Sequence, residues 1–167
     1  MALLPLIGDL AVTPDPDFDA LLGEVQAIIE APASTLDAKL LTICQLLRDN
    51  VAHYDWVGFY LVDPEAAREL VLGPYAGAPT EHTRIPFGRG ICGQAAATER
   101  TFIVQDVAAE ENYLSCSPDV RSEIVLPILQ GNRILGELDI DSHKLAPFTE
   151  ADQRFLGTIC ELVAPLL

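Results

Sequence analysis

Basic side chains are scarce in this sequence. Ten Lys and Arg stand against 25 Asp and Glu in 167 residues, a formal net charge of −15. A chain so charged meets a phosphate backbone or an anionic bilayer against a repulsive field, which excludes nucleic acid and membrane surfaces as partners. Long apolar runs are missing too. A membrane-spanning helix needs about 18 consecutive apolar residues or more, and the most apolar stretch, at the carboxy terminus, is broken by Glu161 and Pro165. The opening MALLPLIGDLAV is apolar but has no basic leader and is interrupted by Asp9, so it is not read as an export signal and a cytoplasmic location is expected. The four cysteines, at 44, 92, 116 and 160, have no close Cys or His partner. That spacing predicts neither a zinc site nor a disulfide framework, and no bound metal or cofactor is expected.

What is present is a foldable chain. Half of the residues are hydrophobic and the mean hydropathy is +0.26, too apolar for disorder and sufficient for one core, so a single domain over 1–167 is expected. Helical periodicity covers 16–30 and 35–52, the second helix capped by Ser34 or Thr35. DWVGFYLVD (55–63) and ELVLGPYAG (69–77) read as a hairpin. RIPFGRGICGQAAATER reads as a turn and a short helix, and TFIVQD (101–106) as a strand. SEIVLPILQ and RILGELDIDS flank Gly131-Asn132, a strong hairpin signal. PFTEADQRFLGTICELVAPLL reads as a final helix over 149–166, with Thr149 as cap and Asp152 three residues on. Helices at 16–52, then sheet and loops at 54–143, then a helix predict an α+β fold built on an antiparallel sheet.

The run Gly88-Arg89-Gly90-Ile91-Cys92-Gly93 satisfies G-x-G-x-x-G, with Asp106 placed 18 residues after Gly88. The strand before it is too short, contains Pro86, and is followed by no second βαβ unit, which favours a tight turn over a dinucleotide site. Cys92 would sit in the first turn of the following helix, where the positive helix end and Arg89 favour thiolate. Cys44 and Cys160 fall at apolar positions of helices and read as core. Cys116 lies in a loop of about 15 residues, long enough to suggest function. With Arg121 nearby it reads either as a reactive thiol or as a cysteine tucked beneath Tyr113 and Leu114.

Glu123 opens a strand, and Asp139 and Asp141 are two apart, so the latter pair shares a sheet face. Periodicity leaves two readings open: a wet face, or an acidic pocket in which one carboxyl keeps its proton. Trp56, the sole tryptophan, and Tyr60 also share a face, either as core or as a pocket wall. Together these residues would suit a small amino compound with an apolar end. Glu110, Glu111 and Tyr113 read as a solvated loop or a lid. His53 and His143 are isolated and receive no role.

The motifs DWVGFYLV, LVLGPYAG, RIPFGRGICG, SEIVLPILQGNRILGELDIDS and FTEAD, in that order, closely resemble the free methionine-(R)-sulfoxide reductases, a family of single GAF domains. The resemblance implies an oxidoreductase in which Cys116 attacks the sulfoxide sulfur, becomes a sulfenic acid and is resolved by a second thiol, with thioredoxin or a similar dithiol restoring the enzyme. It implies that Glu123, Asp139 and Asp141 hold the substrate ammonium and polarise the sulfoxide oxygen, and that Trp56 packs on the methyl-sulfoxide end. Homodimers are common among GAF proteins. One position departs: His82 stands where the family commonly has a cysteine. With that thiol absent, two outcomes stay open: Cys92 resolves Cys116 directly through a Cys92–Cys116 disulfide, or recycling is impaired and external thiols reduce the sulfenic acid. The alternative is a GAF module that binds a ligand without chemistry.

Overall fold

The computed structural model describes residues 15–66, 68–115 and 117–167; the apolar opening stretch and Cys116 lie outside the described residues. The chain begins with helices α1 (Phe18–Glu30) and α2 (Leu36–Asn50), capped by Asp17 and Thr35 through bonds from the amides of Ala20 and Ala38. Strands β1 (Trp56–Val62) and β2 (Glu69–Ala76) form the expected hairpin. They are followed by β3 (Arg84–Pro86), helix α3 (Gly90–Thr98) and β4 (Phe102–Val104). The hairpin β5 (Ser122–Gln130) and β6 (Arg133–Ser142) turns at Gly131, whose φ of 61° suits glycine. Helix α4 (Glu150–Val163) starts with a full capping box between Thr149 and Asp152.

The six strands pair antiparallel in the order β3-β2-β1-β6-β5-β4, the α+β arrangement expected from the element order. Strict alternation divides the central strands between two faces. Val57, Phe59, Leu138, Ile140, Ile124 and Leu126 point to one side, where α1 supplies Leu21 and Val25, α2 Leu40, Ile43 and Leu47, and α4 Phe155, Leu156 and Ile159. Each such fully buried aliphatic contributes about 1.5–3 kcal/mol, and this layer holds the fold together. The opposite face is covered by α3 and the loops, and it carries both the aromatic and the acidic residues.

Several boundaries differ from the sequence reading, some with a clear local cause. The second helix stops at Asn50 rather than 52, because Val51 leaves helical geometry as its cap. The short Pro86-containing strand before the glycine run, Arg84–Pro86, pairs with β2 at the edge of the sheet. The strand expected over 101–106 is shorter, because Gln105 turns to bind the backbone of Phe148 and Asp106 caps a short 3-10 turn at Val107–Ala109.

Candidate active site

Register brings the acids together. Asp141 lies directly between Trp56 on β1 and Glu123 on β5; the next row is Gly58, Asp139 and Val125, and the next Tyr60, Glu137 and Pro127. All three rows face α3, so four carboxyls share one buried face: Glu123, Glu137, Asp139 and Asp141 are each no more than 5% exposed. The wet-face reading is thereby overturned. Glu137 was not singled out in the sequence, although E-L-D-I-D alternates over all five positions.

Burial pushes these carboxyls up. Glu123, Glu137 and Asp141 are held well above the ordinary carboxylate range, first by loss of hydration and then by one another's charge; Asp139 rises to about 7 by burial. Such a cluster keeps protons at neutral pH. Among the described residues, Glu137 Oε1 and Oε2, Asp139 Oδ1 and Asp141 Oδ2 are buried without a hydrogen-bond partner.

Helix α3 sends Cys92 into this cluster, its Sγ 3.3 Å from Asp139 Oδ2 and 3.7 Å from Glu123 Oε1. The expected thiolate at Cys92 is corrected by this placement. Arg89 is exposed and points no compensating charge at the thiol, whereas burial and the nearby Asp139, Glu137 and Glu123 push it well above its usual range. The donor atoms of Cys92, Glu123 and Asp139 all lie within 4.8 Å of one another, close enough to hold a metal ion. Local spacing gives no sign of this arrangement, because its donors come from α3, β5 and β6 and meet only in the fold.

The aromatic wall is built by close approach. A Cβ at Gly58 would stand 2.2 Å from Trp56 Cη2, so only glycine lets the indole lie flat along the sheet. Trp56 Nε1 donates to the carbonyl of Ala78 at 3.0 Å, and the ring stacks on Tyr75 with centroids 5.4 Å apart. Tyr60 is fully buried and donates its hydroxyl to the carbonyl of His82 at 2.8 Å. Beyond Trp56 opens a cavity of about 100 Å3 lined by Asp55, Thr80, Ser117, Asp119, Asp141 and His143, among others. His143, given no role from sequence, donates its amide to Asp55 at 2.7 Å there.

The long loop is fastened over this face. Asn112 accepts from the amide of Gly90 at 2.9 Å and donates to the carbonyl of Gly88 at 2.8 Å. Gly90 has φ 65°, and Leu114 fills the space that a side chain there would need. The glycine motif thus makes the tight turn expected of it, and its amide grips a protein side chain. His82 Nε2 lies 3.0 Å from the carbonyl of Ser115, linking the two loops on either side of the cavity. Glu110 and Glu111 are exposed, while Tyr113 and Leu114 pack on the acidic side's apolar cluster. Cys116 and its separation from Cys92 lie outside the described residues.

Cys44 and Cys160 are buried in the helix-covered core as expected, and burial raises both thiols, that of Cys160 to about 12. His53, also unassigned from sequence, sits 2.8 Å from Asp152, which accepts from the Tyr54 hydroxyl at 2.7 Å as well. That network ties the α4 cap to the start of β1, away from the acids.

Residues 35–167 match the GAF domain family. The chain belongs to that family. As a GAF domain it is 40% identical over 146 residues to GAF domain-containing protein A of Dictyostelium discoideum, covering 87% of this chain and 89% of the relative. It is 36% identical over 150 residues to the free methionine-R-sulfoxide reductase of Escherichia coli, covering 90% and 82%. Its backbone is similar to the structure of free methionine-R-sulfoxide reductase from Neisseria meningitidis in complex with its substrate, with a TM-score of 0.81, 39% identity, and coverage of 89% and 86%. The family resemblance seen in the motifs is therefore shared by named relatives along most of the chain. No helix among the described residues is long and apolar enough to cross a membrane.

Proposed function

We propose that this GAF domain reduces free L-methionine-(R)-sulfoxide to methionine. The observation that carries the reading is the buried carboxyl cluster beside a thiol and an indole, on the same face as the small cavity. A cluster with displaced affinities holds both forms near neutrality: an ionised member to meet the substrate ammonium, and a protonated one to hydrogen-bond the sulfoxide oxygen. We assign Glu123, Asp139 and Asp141 to these tasks, with Glu123 and Asp141 on the reacting oxygen. Trp56 and Tyr60 supply the wall for the methyl-sulfoxide end. A cavity of about 100 Å3 is well below the ~300–1,000 Å3 of drug-sized sites, which favours a free amino acid over a methionine within a polypeptide.

In this reading Cys116, whose part follows from the resemblance, attacks the sulfoxide sulfur; the oxygen passes to the cysteine sulfur, leaving methionine and a sulfenic acid. Cys92 then attacks that sulfenic sulfur, water leaves, and a Cys92–Cys116 disulfide remains for a thioredoxin-like dithiol to reduce. Because Cys92 is held protonated, its attack needs a base, and Asp139 Oδ2 at 3.3 Å is placed to take the proton. His82, at the position of the family's other cysteine, leaves Cys92 as the resolving thiol.

The test is turnover of racemic free methionine sulfoxide with a dithiol. Methionine should form from the R epimer only, Cys116→Ser should abolish it, and mass spectrometry after turnover without reductant should find the Cys92–Cys116 bond. A ligand that binds and is recovered unchanged would instead establish a sensor.

A further inference from the structure

We propose that the reduced chain binds one zinc-class divalent cation through the Cys92 sulfur, Glu123 and Asp139, with Glu137 as the fourth donor. Zinc bonds of about 2.3 Å to sulfur and 2.1 Å to oxygen, opened to the tetrahedral angle, put sulfur and oxygen roughly 3.6 Å apart. Cys92 Sγ is 3.3 Å from Asp139 Oδ2 and 3.7 Å from Glu123 Oε1, bracketing that edge. The three donor atoms lie within 4.8 Å of one another, so modest closure completes a coordination shell.

A second observation is independent of that trio. Glu137 is 0% exposed and neither of its oxygens has a hydrogen-bond partner among the described residues. It is two residues from Asp139 on the same face of β6, and its charge acts on the Cys92 thiol. A carboxyl so placed costs stability whether charged or neutral unless something completes it. A divalent cation would satisfy its oxygens and offset the mutual repulsion of the cluster. The mixed sulfur and oxygen donor set selects zinc-class ions over magnesium or calcium, which take oxygen alone. The ion has a path, since Asp141, next on this face of β6, opens on the cavity beside Trp56.

Binding is acid–base chemistry with no change of oxidation state. The thiol and the protonated carboxyls release their protons to solvent as the metal bonds form. Metal and substrate then compete for the same carboxyls, and metal withdraws Cys92 from disulfide exchange. Oxidation of Cys92 removes the sulfur donor and releases the ion. Only this link to turnover rests on the reductase reading; the site itself does not.

The test uses the whole reduced chain without substrate, titrated anaerobically with Co2+ as an optical stand-in and with Zn2+ in competition. One equivalent should bind with a thiolate-to-cobalt charge-transfer band. The band should vanish in Cys92→Ser, persist in Cys116→Ser, and need at least tenfold more metal in Glu137→Gln. X-ray absorption on the zinc-loaded wild-type chain should show one sulfur among oxygen neighbours, a measurement that stands even if a variant fails to fold. Absence of metal uptake, binding without a sulfur neighbour, or a band lost in the Cys116 variant instead would overturn the proposal. Failure of turnover with metal binding intact would count against the reductase reading alone.

Discussion

Raising the pH from 5 to 8 in the presence of a chelator should destabilise this protein, and Asp139→Asn should remove that residue's share of the effect, leaving the part due to the other raised carboxyls. Asp139 ionises near 7 in the fold against an ordinary value of 3.8, so between those limits the folded chain holds a proton that the unfolded chain has lost. Stability falls with rising pH wherever the folded state binds more protons, and levels off once the folded group ionises. Between pH 5 and the folded value near 7, ~1.4 kcal/mol per pH unit amounts to on the order of 3 kcal/mol for this one group. At ~2–4 °C per kcal/mol for a chain of this size, the melting temperature should drop by on the order of 10 °C. The opposite limb does not interfere: Asp152 is depressed to about 2, chiefly by its bonds to His53 and Thr149 working against burial, so its stabilisation is complete above its ordinary value and is lost only as pH falls toward 2. Thermal melts followed by circular dichroism in reductant would measure both limbs. A wild-type melting temperature that is flat or rising from pH 5 to 8, with the Asn variant running parallel, would refute the argument that burial raises these carboxyls.

Other outcomes are expected on the same grounds. Asp152→Ala strands the buried Tyr54 hydroxyl and removes the Asp152 side-chain half of the α4 capping box, while the bond from its backbone amide to Thr149 Oγ1 remains; it should cost about 2–4 kcal/mol in denaturant unfolding while leaving ligand affinity unchanged, because the network lies across the sheet from the acids. Gly58→Ala places a methyl group 2.2 Å from the Trp56 ring. It should cost about 1–3 kcal/mol by overpacking and raise the KM for methionine sulfoxide, whereas Gly23→Ala, where nothing lies within 4 Å, should leave KM unchanged.

Much of the fold was legible because local chemistry and global packing agree. Thr149 and Asp152 announce a helix start, Gly131-Asn132 a hairpin, and the alternation through 122–142 a sheet with two different faces. The chemistry of the faces was less legible. Alternation says that Asp139 and Asp141 project together, but whether that side is wet depends on α3 and the loops above it, which are distant in sequence. Glu137 belonged to the same alternation and could have been found from it. The reversal at Cys92 has the same origin: a helix amino terminus favours thiolate, yet the sheet beneath it carries four carboxyls, and desolvation with their charge outweighs the helix end. The cavity residues Asp55, Thr80, Asp119 and His143 come from separate loops with no shared pattern, and only the tertiary fold assembles them.

Trp56 is the only tryptophan in the sequence, and it lies against Gly58 with its ring edge at the cavity. Its fluorescence is therefore a single, native reporter placed where ligands arrive. Quenching or a spectral shift on mixing would follow occupancy and proton state in real time, without a label and without background from a second indole.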